Sequence, residues 1–135
     1  MVKVVLIPID WSEHAEKAFN WYIYNLHRDG NTLILAHFID ASNDKELEEK
    51  ELHMLELQEV YETCLLKMKI EYRWIHGSAG SAGEYIVRTT KETGAEMIVL
   101  GARGLGKIRK ALLGSVSDYV VNKAKVPVLI CKWGD

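Results

Sequence analysis

The stretch Met97-Ile-Val-Leu-Gly-Ala-Arg-Gly104, followed after nine residues by Gly114-Ser115, decides the fold of this chain. Its first half has the composition of a short buried strand and runs into glycine. Glycine at a strand exit lets the backbone turn tightly and lie close to a ligand. A Gly-Ser pair opening a helix offers unpaired N–H groups, a hydroxyl and the positive end of the helix dipole. Strand, glycine turn and helix start, in this order, describe a βα unit with a seat for phosphate at its junction.

Working outward, the same alternation fills the chain. Residues 2–9 are almost wholly apolar and β-branched, the mark of a strand covered on both faces. Ser12, followed by Glu13 and Glu16, is placed to cap a helix that reaches about residue 28 and stops before Gly30. Ala15, Ala18, Phe19, Tyr22, Ile23 and Leu26 recur along it at helical spacing. Residues 32–39 read as a second strand. Residues 43–69 read as a long charged helix with an inner stripe of Met54, Leu57, Tyr61, Cys64, Leu65 and Met68. Its acidic opening, residues 44–51, is accounted for by a solvated first turn or a mobile loop. A third strand spans 70–76, and a loop spaced by Gly77, Gly80 and Gly83 leads into a helix to about Thr93, closed by Gly94. Residues 96–100 form strand four, 115–124 a fourth helix and 126–133 a last strand.

Such alternation, with strands that are continuous apolar runs, predicts a three-layer α/β/α, Rossmann-like fold over residues 1–135 as one domain. Ligands of such sheets sit beyond the carboxyl ends of the strands, where strand order reverses. That rule selects the loops at 8–12, 38–41, 76–81 and 101–115, so the glycine stretch and Asp10 fall in the selected set.

Composition narrows the function. With 135 residues, 48% of them hydrophobic, the chain can bury a real core. A net charge of −2 gives no basic field for nucleic acid. No apolar run approaches the ~18 residues that span a bilayer, so no membrane role is expected. The two cysteines, Cys64 and Cys131, stand in apolar settings and lack CxxC spacing. They read as reduced core thiols, which implies a cytoplasmic protein.

Several motifs fail on close reading. Gly101 to Lys107 fits GxxxxGK, but Ile108 stands where a P-loop needs the hydroxyl that holds Mg²⁺. No glycine run fits the dinucleotide GxGxxG, which belongs after a first strand. His14, His27, His37, His53 and His76 show no metal-ligand spacing. His37 reads as a packed strand histidine, His76 as a surface one. No nucleophile elbow and no complete catalytic set occur. Arg103, Lys107, Arg109 and Lys110 form a basic cluster that reads as a solvated loop or as a phosphate-facing group.

At these residues the chain resembles the universal stress protein family, in its nucleotide-binding branch. The family motif G-x2-G-x9-G-[S/T] is met by Gly101, Gly104, Gly114 and Ser115. The resemblance spans nearly the whole chain: Asp10 at the end of strand one, residues 35–40, the turn from Gly80 to Val87, and Val126-Pro127 opening the last strand. The Asp10-Trp11-Ser12 opening and the segment 114–119 are most similar to eukaryotic, especially animal, members. Phe38 stands where the family usually has Val, Ala82 replaces a common Pro, and the segment 41–52 is short for the family.

The resemblance implies a five-stranded parallel sheet in the order 3-2-1-4-5 and an adenine nucleotide, ATP or AMP, in the crevice. Adenine is then expected near Pro8, Ile9 and the Phe38 backbone, and the ribose at Asp10. Leu100, Gly101, Arg103 and Gly104 line the ribose–phosphate side, and Gly114, Ser115, Val116 and Ser117 meet the phosphates. Asp10 also suits a cation, so Mg²⁺ bound with the phosphates is a possible companion. A homodimer is expected through the last strand, which begins at Val126 and closes on Trp133. The resulting expectation is a nucleotide-dependent sensor or signalling module. The alternatives are a weak ATP hydrolase, or an interaction module of the same fold without nucleotide.

Overall fold

The computed structural model describes residues 1–102 and 114–133. Strands and helices alternate through it as β1 (Val4–Pro8), α1 (Glu13–Asn25), β2 (Thr32–Phe38), α2 (Asp44–Met68), β3 (Glu71–Gly77), α3 (Ala82–Thr93), β4 (Met97–Ala102), α4 (Ser115–Lys123) and β5 (Val128–Lys132). Every pairing is parallel and the order is β3-β2-β1-β4-β5, as expected.

Period-two alternation sends neighbouring residues of each strand to opposite faces. On one face Val5, Ile7, Leu33, Leu35 and Val99 meet Phe19 and Tyr22 of α1 and Leu57, Tyr61 and Leu65 of α2. On the other, Leu6, Ile34, Ala36, Ile98 and Leu100 meet Tyr85 and Ile86 of α3 and Val120 of α4. Burial on both sides is why β1, β2 and β4 read as nearly unbroken apolar runs, whereas β3 at the sheet edge alternates. β1 is therefore followed by a helix on one face, and β4 is succeeded by a helix on the other. Neighbouring strands whose helices lie on opposite faces open a crevice at their carboxyl ends. At the other end, Glu96 Oε1 accepts from the N–H groups of Lys3 (3.1 Å) and Val4 (3.2 Å), fastening β1 to β4.

The element boundaries differ from the sequence reading in informative places. α1 stops at Asn25 rather than near 28, because the N–H groups of Leu26 and His27 both turn back to the Tyr22 carbonyl. The acidic opening of α2 is helical: the Asn43 side chain accepts from the Glu46 N–H at 2.9 Å, and Asp44 and Glu46 suit the positive helix end. The inner stripe of α2 ends at Leu65. Met68 is 43% exposed, a correction that follows from Lys69 leaving the helix at φ 58°. Cys64 is half-buried, whereas Cys131 is buried. β4 does not stop at Leu100, since Gly101 and Ala102 pair with Cys131 and Lys132. No helix among the described residues is long and apolar enough to cross a membrane.

Candidate functional site

Those residues selected from the sequence that the structure describes lie at the carboxyl edge of the sheet. Pro8 closes β1 opposite Ala36 of β2. Ile9 is buried, and its N–H donates to the Ala36 carbonyl at 2.9 Å. The Ile9 carbonyl lies 2.7 Å from His37 Nδ1. A carbonyl only accepts, so Nδ1 carries the proton in this bond. The His37 ring also stacks on Trp74, with centroids 6.1 Å apart. The packed histidine of the sequence reading thus holds the ends of β1 and β2 together, a task that no spacing revealed.

Asp10 follows, exposed at the crevice. Its Oδ1 accepts from the Ser12 N–H at 2.8 Å and from the Ser12 hydroxyl. Ser12 Oγ in turn accepts from the Ala15 N–H at 3.2 Å and caps α1. An aspartate bonded to the backbone two residues on is a turn-forming device, and the Asp10-x-Ser12 spacing was its signal. It fixes one carboxylate oxygen and leaves Oδ2 without a partner among the described residues. Phe38 ends β2 opposite Gly77 and turns its half-buried ring to Tyr85 of α3, with centroids 5.8 Å apart. The ring thus packs against α3 on the α3–α4 face of the sheet.

The motif glycines sit in two different settings. Leu100 is buried in β4, and Gly101 beside it is a strand residue packed under the first turn of α1. A Cβ at Gly101 would lie 2.6 Å from the His14 carbonyl carbon and closer still to its oxygen. Its close approach is to backbone, not to open crevice. Gly114 precedes α4 at φ 128°, ψ 161°, a region essentially reserved for glycine, and a Cβ there would meet nothing within 4 Å among the described residues. Ser115 is exposed, Val116 half-buried and Ser117 buried. Arg103 and Gly104 lie outside the described residues, as does the rest of the basic cluster.

The helix starts also divide. Ser12, Asn43 and Ser81 cap α1, α2 and α3 with side-chain hydrogen bonds, whereas α4 has none among the described residues. Its opening N–H groups have no intrahelical acceptor. The site therefore presents a positive, hydrogen-bonding helix end on one side and a carboxylate on the other. That arrangement suits a ligand with an anionic end and hydroxyl donors.

Comparison with known proteins identifies the family. The family model described as the universal stress protein family matches residues 1–132. A universal stress protein of Methanocaldococcus jannaschii is 28% identical over 98% of this chain and 96% of its own length. An uncharacterised protein of Schizosaccharomyces pombe is 26% identical over 93% of this chain, which spans only 22% of that longer protein. Among solved structures, a family member from Arabidopsis thaliana with AMP bound aligns at a TM-score of 0.75 and 18% identity, covering 96% of this chain and 91% of that one. A universal stress protein in complex with cAMP aligns at 0.66 and 19% identity, covering 97% of each chain. The chain belongs to the universal stress protein family.

Proposed function

We propose that this chain binds an adenine nucleotide, ATP or AMP, over the carboxyl ends of β1 and β4, as a member of the nucleotide-binding branch. The observation that carries the reading is the start of α4, where Gly114 takes the place of the capping side chain that the other three helices have. An uncapped helix start is a ready seat for phosphate oxygens. The N–H groups of Ser115, Val116 and Ser117 and the Ser115 hydroxyl receive the phosphates. Asp10 accepts from the ribose hydroxyls, and Pro8, Ile9 and the Phe38 backbone border the adenine. Arg103 and Gly104 complete the phosphate side. The relatives solved with AMP and cAMP support the choice of adenine nucleotide.

Mg²⁺ fits as a companion of the phosphates rather than as a resident of a protein cage. Among the described residues no cluster of three metal-ligating side chains occurs, and Asp10 Oδ2 has no hydrogen-bond partner. One carboxylate plus phosphate oxygens is an ordinary Mg²⁺ arrangement. β5 lies at the sheet edge with Val128, Leu129 and Ile130 half-buried, which supports pairing with a second copy. The whole, residues 1–135 as one unit, then works in the cytoplasm as a homodimeric, nucleotide-dependent sensor or signalling module of a stress response.

Calorimetric titration with ATP, ADP and AMP tests the reading. Binding tighter than ~1 mM is expected, and its absence for all three overturns the proposal. Gly114→Val combined with Ser115→Ala is expected to abolish that binding; unchanged affinity would show that the α4 start holds no phosphate.

A further inference from the structure

The sheet has an edge at each end. β3 ends it opposite β5 and pairs only with β2 among the described residues. The Gly77 carbonyl accepts from the Ile39 N–H at 2.8 Å, so Gly77 turns its backbone groups toward β2. Alternation along the strand turns Glu71, Arg73 and Ile75 the same way. It leaves the N–H and C=O groups of Tyr72, Trp74 and His76 directed at the free edge. Such a row is a template for pairing with another chain unless something blocks it.

Side chains alternate as well. Tyr72 and Trp74 pack on the α1–α2 face and Ile75 on the α3–α4 face. Glu71 and Arg73 share the face of Ile75, where both are exposed. These two charges choose the partner strand. When two copies of β3 meet antiparallel about a two-fold axis, the even-numbered residues must form the hydrogen-bonded pairs. An axis at residue 71 sets Glu71 against the partner's Glu71, and one at 73 sets Arg73 against the partner's Arg73; both oppose like charges. An axis at Trp74 sets Arg73 against Ile75 and leaves both charges unmatched. An axis at Tyr72 sets Glu71 against the partner's Arg73, twice over. Those are the non-hydrogen-bonded pairs, ~4.5 Å apart at Cα, where side chains come closest. In the same register Tyr72 exchanges two main-chain hydrogen bonds with the partner's Tyr72. A single repeated charge blocks an edge; a Glu–Arg pair spaced by two is its own complement.

The helix beside this edge adds apolar cover. The Tyr72 hydroxyl donates to Glu62 Oε2 at 2.7 Å, so the Glu62 stripe of α2 overhangs β3. Leu55, Glu59 and Leu66 lie on that stripe at i+3 and i+4 spacing, and the two leucines are 54% and 67% exposed. The opposite stripe, with Leu57, Tyr61 and Cys64, lines a recess against α1. We propose that β3 is a self-association edge, to which a second copy of this chain adds antiparallel across a two-fold axis at Tyr72. Two Glu71–Arg73 pairs fix the register on one face, and the overhanging leucines cover the joined strands on the other. The contact is separate from the one at β5 and does not depend on nucleotide.

Sedimentation velocity of the full chain over a concentration series tests this, with hydrogen exchange at the Tyr72 amide as the local reading. Average mass is expected to rise, and Tyr72 N–H exchange to slow, as the chain approaches ~1 mM. Glu71→Arg and Arg73→Glu, both at exposed positions, each set like charges across the axis. Each alone is expected to weaken the association at least ~10-fold and to abolish the slowing at Tyr72. Mixing the two variants restores opposite charges in both pairs, as does one chain carrying both changes. Both arrangements are expected to associate within ~3-fold of the unaltered chain. Concentration-independent exchange at Tyr72, single variants that associate as well as the unaltered chain, or a mixture no better than its components each overturns the proposal. Pairing through β5 involves neither residue, so a dimer there is expected to persist in every variant, and the two contacts fail or survive separately.

Discussion

Gly101 and Gly114 belong to one sequence motif and are glycine for opposite reasons. At Gly101 the backbone is ordinary strand, but a side chain would strike the His14 carbonyl of α1. At Gly114 a Cβ would meet nothing among the described residues, but the backbone sits at φ 128°, where other residues are strained. The first glycine serves the contact between two elements of the fold. The second shapes a helix start that no side chain among the described residues closes. A spacing pattern records both as the same letter, and only the packing separates them.

That contrast can be broken or sharpened by substitution. The largest effect is expected for Gly101→Ala, a loss of about 3 kcal/mol or more in urea unfolding, because the obstructing atoms are backbone and yield little. A loss under ~0.5 kcal/mol would mean that α1 moves aside freely. Gly114→Ala is expected to cost about 2 kcal/mol through strain alone, with nucleotide affinity falling further than stability does. Equal effects of the two changes on affinity would erase the distinction. Ser81→Ala, which removes the bond from the Glu84 N–H, is expected to cost ~1 kcal/mol as an ordinary cap loss and to leave nucleotide binding intact. Ser115→Ala, at an exposed position, is expected to change stability by less than ~0.5 kcal/mol. Its signature is weaker nucleotide binding with an unchanged unfolding midpoint.

Much of the fold was legible because both sheet faces are covered. Residues 4–8, 32–38 and 97–102 carry no polar alternation to obscure their strand character, and Ser12 and Gly94 mark helix ends by chemistry that is local. The same locality explains what was missed. Gly101 reads as a turn residue because its reason, His14, lies far away in the chain. Gly83 reads as part of a loop, yet it is helical and leaves room for the Tyr119 ring of α4. His37 gave no hint of its bond to Ile9, which depends on the β1–β2 register. Periodicity assigns a residue to a face but does not tell whether two faces meet tightly or part to leave a recess.

The seating of α1 on Gly101 bears on how this chain diverges under selection. A descendant that lost its ligand would still need a glycine at 101, because the helix resting there would remain. Relaxed constraint would appear first at Gly114 and Ser115, where a fresh capping side chain and a milder backbone would cost the fold nothing. The first glycine of the motif is thus tied to the fold, and the last pair to whether the proposed nucleotide is bound.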